Sequence, residues 1–280
     1  MNGTLVEIGL RFGIRTGPQP AAILHCIRLG ASEAWAGKAA LAARFLAFAL
    51  IIGIWASLWR IVPPETLARV QLSYEQVVWY FTLTEIVVFS LGHAYWQVED
   101  DLATGKLTLS LVRPVSYVTL MVSEEIGRAA VKLAGFGIPG LGLTVALTGV
   151  IPFGPAEIPP LAVMLMLGTA VLLASQMLVG LTAAWVGSAR AVFFIVQKFI
   201  FVLGGMIVPL TAYPALLQHV AWATPFPAML YAPASLVLEA SPRHIVAMIE
   251  LQIAWLGVCF LAIAIVGAAF ERRLLTKGLV

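Results

Sequence analysis

Two groups of residues in this sequence have types that could do chemistry. The first is the stretch DLATGKLTLSLVRP at residues 101–114, preceded by Glu99 and Asp100, which sets acids, a glycine, bases and a proline between two long apolar runs. Its Gly105-Lys106-Leu107-Thr108 is similar to part of a phosphate-binding loop. Such a loop needs Gly-x-x-x-x-Gly-Lys-Ser/Thr, because two glycines let backbone amides wrap the phosphates and the hydroxyl after the lysine holds magnesium. Asp100 stands at the first glycine position and Leu107 at the hydroxyl position, with no buried strand before them. ATP binding by this chain is therefore not expected. The second group is Glu85 and Lys198, ionisable residues inside apolar runs, where a charge is costly and faces a cavity or another charge. They are candidates for a structural pair, a polar anchor, or a place in a substrate or proton path.

Little else has reactive spacing. His25, His93, His219 and His244 show no ligand pattern, and the chain has no His-Glu-x-x-His, no Gly-x-Ser-x-Gly and no paired aspartates within an apolar run. An intramembrane enzyme is unsupported, and no metal, cofactor or nucleic acid is expected. Cys26 and Cys259 lie far apart without a metal or redox motif and read as packed thiols rather than a disulfide framework.

The elements that hold these residues follow from composition. The chain is 61% hydrophobic and 11% charged, with a mean hydropathy of +0.96. A water-exposed surface needs a denser charge than that, so the chain lives in a bilayer. Backbone groups in lipid must be satisfied locally, and long uniformly apolar runs fit helices rather than alternating barrel strands. The expected fold is all-α and polytopic. Spans are expected at about 39–60, 76–97, 131–151, 160–186, 191–208 and 245–270, each near the roughly 20 residues needed to cross. Before the first, AILHCIRLGASEAWAG has one apolar face and reads as an interfacial helix or as an extension of the first span. The start, MNGTLVEIGLRFGIRTGPQP, lacks the pattern of a cleaved secretory signal.

Orientation follows from the basic residues. With the N-terminus inside, Arg11, Arg15, Arg28, Lys38, Arg44, Lys106, Arg113, Arg128, Lys132, Arg190, Lys198, Arg272, Arg273 and Lys277 fall on the cytoplasmic side. Arg60, Arg69 and Arg243 fall outside, a division of fourteen to three. Both termini and the 101–114 segment are then cytoplasmic. Residues 209–244 form a long outer connection with six prolines among aromatic and aliphatic residues. Proline forbids a continuous helix and the apolar surface resists water, so short helices dipping into the outer leaflet are expected, with a loosely folded cap as the alternative. In the polar segment, Leu107, Leu109, Leu111 and Val112 form an apolar ridge on a short helix that Pro114 would end. That ridge either docks a partner or folds against its own helices.

With these features in place, the chain resembles permease subunits of the ABC-2 class of ATP-binding-cassette exporters, within the bacterial paired-permease subgroup. The matching stretches are DLATGKLTLSLVRPVSYVTLMVSEEIG, GGMIVPLTAYPALLQHVAWATPFPAMLYAPA and the terminal ERRLLTKG. The resemblance implies one transmembrane domain at 21–278 after an extension at 1–20. It also implies an interfacial connecting helix at about 21–36, re-entrant helices before the last span, and a coupling helix docking on a separate ATPase. Glu99, Asp100, Asp101, Gly105, Lys106, Leu107, Leu109, Leu111, Val112, Arg113 and Pro114 would form that docking region. The implied partners are two ATPase subunits that bind the ATP, a second permease identical or homologous to this one, and the lipid of the inner membrane. An ion-coupled carrier or channel using Glu85 and Lys198 is the alternative; it would favour an internal repeat, which the sequence does not show.

Overall fold

The computed structural model describes residues 20–63, 65, 67, 72–107 and 115–277. Among the described residues the secondary structure is helical throughout, without strands. The longer helices are α1 (Pro20–Ala36), α2 (Lys38–Ile61), α3 (Tyr74–Phe89), α4 (Ala94–Ala103), α5 (Tyr117–Thr148) and α6 (Ile158–Leu181). They continue as α7 (Ala183–Val186), α8 (Ala189–Leu203), α9 (Ala215–Trp222), α10 (Phe226–Met229), α11 (Tyr231–Ser235) and α12 (Pro242–Lys277). Among the described residues, five stretches are long and apolar enough to cross a bilayer: Lys38–Ile61, Tyr74–Ala103, Tyr117–Thr148, Pro155–Val186 and Pro242–Leu274. The protein is a polytopic all-α membrane protein.

Three expectations shift. The expected second span is two helices, because the backbone breaks at residues 90–93 between α3 and α4. The expected third span begins earlier, at Tyr117, where the Ser116 hydroxyl accepts from the Thr119 amide and caps the helix. The expected fifth span corresponds to α8, which has 15 residues. It rises only about 22 Å, against roughly 30 Å of hydrocarbon.

Helix α3 is the centre of the core. Val77 through Val87 are buried without interruption, as a helix apolar on all faces must be. It packs against α2, α5, α6 and α11. The connecting helix α1 lies along α5. Their backbones meet because Gly30 faces the Glu124 carbonyl and Gly127 faces the Ile27 carbonyl, and a Cβ at either position would collide with the opposite main chain.

The outer connection is a series of short helices, as its prolines require. Its α10–α11 part is packed inside the bundle, where Ala228 to Ala232 are almost wholly buried. Neutral donors from the long helices hold it. Gln252 Nε2 on α12 donates to Met164 O at 2.8 Å and Ala228 O at 3.0 Å. The Tyr80 hydroxyl donates to Gly205 O at 2.5 Å, and Gln76 Nε2 donates to Val237 O at 3.4 Å. Cys26 and Cys259 are both buried.

Candidate functional site

Helix α4 carries the acids of the polar segment, and each has a partner within the chain. Glu99 Oε2 accepts from the Arg190 amide at 2.8 Å and from the Ser188 hydroxyl at 3.4 Å, closing the N-terminus of α8. A carboxylate there also meets the positive end of the helix dipole. The Arg190 guanidinium bonds Asp100 and lies 3.5 Å from Glu99 Oε1, while stacking 4.6 Å from the centre of the Trp96 ring. Asp101 accepts from the Tyr117 hydroxyl at 2.9 Å, and Lys106 Nζ lies 4.0 Å from its other oxygen. Thus α4 is tied to α8 on one side and to the first turn of α5 on the other.

Beyond α4 the chain turns at Thr104 and Gly105. Gly105 has φ +71° and open space around it, a left-handed conformation that a side chain would strain. Lys106 is exposed, whereas Leu107 is 1% exposed and buried in the chain. Leu107 is therefore an inner anchor of the expected ridge rather than part of its outer face. Leu109, Leu111, Val112, Arg113 and Pro114 lie outside the described residues.

Where α4 meets α3, the break is surrounded by charge that the sequence reasoning did not single out. Its loose carbonyls are taken by cations from the neighbouring helices. Arg44 donates to Phe89 O at 3.2 Å and Lys132 Nζ donates to Leu91 O at 2.9 Å. At Gly92 the Glu125 carboxylate and Leu173 press against the backbone so closely that a Cβ would overlap the carboxylate. Arg128 then gathers four acceptors from three helices. It bonds Glu33 Oε2 of α1 at 2.7 Å, Glu124 Oε2 at 3.0 Å, Glu125 Oε1 at 2.6 Å, and Gln97 Oε1 of α4 at 3.4 Å. Glu125 is 3% exposed; burying it this deep requires a charged and hydrogen-bonded partner. A local signal existed in the SEEIGR stretch, where Glu124 and Glu125 stand four and three residues before Arg128 on one helical face.

The structure does not bring Glu85 and Lys198 together. Glu85 is 3% exposed in the middle of α3 and, among the described residues, has no hydrogen-bond or ion-pair partner. Lys198 is exposed on α8, with Nζ 4.7 Å from the centre of the Phe194 ring. Around it Phe194, Ile195, Phe199 and Val202 are exposed as well.

The geometry is that of a short polar helix, α4, fastened by ion pairs and hydrogen bonds to α8 and to the start of α5. No curated protein and no solved structure matches the chain. A family model described as ABC-2 family transporter protein matches residues 66–274, from just before α3 almost to the end of α12. This chain belongs to the ABC-2 transporter family and is the membrane-spanning permease subunit of an ABC transporter, which works with an ABC ATPase.

Proposed function

We propose that this permease is half of the membrane part of an ATP-driven exporter in the bacterial inner membrane, with six spans and both termini cytoplasmic. A second permease, identical or homologous, completes the path. Two ATPase subunits bind and hydrolyse the ATP beneath it. The observation that carries the reading is the fastening of α4 to α8 through Glu99, Asp100 and Arg190, and to α5 through Asp101 and Gln97. Any displacement of residues 105–114 reaches three membrane helices through these contacts and shifts the population between inward-open and outward-open or closed arrangements.

In this reading Gly105 permits the turn, Leu107 anchors it, and Lys106, Leu109, Leu111, Val112 and Arg113 meet the ATPase, with Pro114 ending the ridge. The outward face of α8 supports a second permease. A lysine on an apolar membrane surface is expensive to leave against lipid, so Lys198 calls for a partner chain or a wet path to face. An ion-coupled carrier built on Glu85 and Lys198 gains no support, since one is in the core and the other on the surface.

The test is replacement of both Leu109 and Leu111 by aspartate. The expected result is an inserted permease that no longer retains its ATPase on purification. Undiminished co-purification would refute the docking assignment.

A further inference from the structure

A groove separates the first half of α5 from the last half of α12, two helices that both lean on α6. Its volume is about 420 Å³, within the range of clefts that hold small organic ligands. Val122, Phe260 and Ile263 line it and also line an adjoining inner cavity of about 40 Å³ that Glu125 helps to line. The two spaces therefore adjoin across a shared wall of three apolar side chains.

The chemistry of this lining has one sign. Glu271 lines the outer part and Glu125 the inner cavity, and among the described residues no lysine or arginine lines either space. Ser123 donates its proton to Thr119 O at 2.7 Å, which leaves the hydroxyl oxygen able to accept. Glu125 Oε2 is shut off from solvent and has no hydrogen-bond partner, although Oε1 is bonded to Arg128. Arg128 is itself divided among the carboxylates of Glu33, Glu124 and Glu125, one positive charge against three negative. The nearest other cations, Lys132 and Arg44, are bonded to backbone carbonyls of the α3–α4 break. The rest of the lining is aliphatic or aromatic, with Phe260 half exposed at the junction of groove and cavity.

We propose that this groove binds amphiphilic cations, an apolar body lying between α5 and α12 and a positive centre drawn towards Glu125. Acceptors and negative charge beside an otherwise apolar slot select that class. An anion of the same shape meets the wrong charge, and a neutral molecule leaves the Glu125 oxygen unpaired.

The test uses a pair of ions of similar shape and opposite charge, tetraphenylphosphonium and tetraphenylborate. Each is measured by equilibrium dialysis against the purified permease in phosphatidylcholine nanodiscs, with empty nanodiscs subtracted and with neither ATPase nor ATP present. The phosphonium should bind saturably and the borate should neither bind saturably nor compete. Glu125→Gln should weaken phosphonium binding about tenfold, the loss of one close charge in a partly desolvated site. Ala264→Trp, at an exposed position on the groove wall, should block it while leaving the carboxylate untouched. Saturable binding of both ions alike, or phosphonium binding indifferent to the indole at 264, overturns the proposal. So does efficient cross-linking between copies through cysteines at 123 and 264, which would make the groove a permease–permease interface. If Glu125→Gln does not fold, the indole variant alone decides. Because the assay involves no transport, its failure leaves the exporter reading standing.

Discussion

Around the break between α3 and α4 the helices are joined by ions, whereas around α10 and α11 they are joined by neutral side chains. At the break, Arg44 and Lys132 serve carbonyls of Phe89 and Leu91, and Arg128 serves three carboxylates from α1 and α5. In the outer region Tyr80, Gln76 and Gln252 each donate to main-chain oxygens of the connection or of α6. The two chemistries behave differently under load. A guanidinium with several acceptors can trade one for another at modest cost, but a carbonyl in an apolar core that loses its only donor has no replacement. The ionic end is thus suited to rearrange and the neutral end to hold its shape. The ionic end is also the one attached to the polar segment.

The comparison can be broken most forcefully at Arg128. Arg128→Met leaves Glu125 buried beside two further carboxylates, at an expected cost of about 3–5 kcal/mol. Thermal unfolding in detergent should show a large fall in midpoint, partly restored by adding Glu125→Gln. An unchanged midpoint would mean that the ionic junction is not structural. Next in size is Gly127→Leu, which drives a side chain into the Ile27 carbonyl and should cost about 1–3 kcal/mol. Its signature is proteolysis within α1 at protease concentrations that spare the parent protein.

At the neutral end, Gln252→Leu removes the donor shared by Met164 O and Ala228 O, for about 1–2 kcal/mol. The same unfolding measurement should report it, and the loss should not be recovered by any charge substitution at the ionic end. The smallest effect is expected at Asp100→Asn. Its side chain is 55% exposed, and solvent-exposed ion pairs contribute below about 1 kcal/mol. Stability should scarcely change, while ATP-driven transport per ATP hydrolysed should fall if the α4–α8 fastening transmits motion.

Much of this architecture was legible without coordinates. Hydropathy located α2, α6 and α12 to within a few residues, except that α12 runs further towards the C-terminus. The prolines of the outer connection announced short helices, but not that α10 and α11 would be buried inside the bundle. What escaped had nonlocal causes. Ser90 and Gly92 beside Leu91 are only a weak sign that the helix breaks there, because the compensation that permits the break comes from Lys132 and Arg44 on other helices. The start of α5 was hidden by Glu124, Glu125 and Arg128, which lower hydropathy like a loop but satisfy one another on a helix face. Leu107 looked like part of an outward ridge, since periodicity ranks apolar residues without telling which neighbour will cover them. Whether Glu85 pairs with Lys198 was open in the sequence for the same reason, as one sequence does not tell which helices are neighbours.

The central claim is that the turn at residues 104–107 lies on the cytoplasmic side and is covered by the ATPase. Lys106→Cys, labelled with a membrane-impermeant maleimide, tests it directly. The label should react in inside-out vesicles stripped of the ATPase, be excluded when the ATPase is added back, and not react in right-side-out vesicles. Labelling from the outer side, or labelling in inside-out vesicles that the ATPase leaves unchanged, would contradict the account.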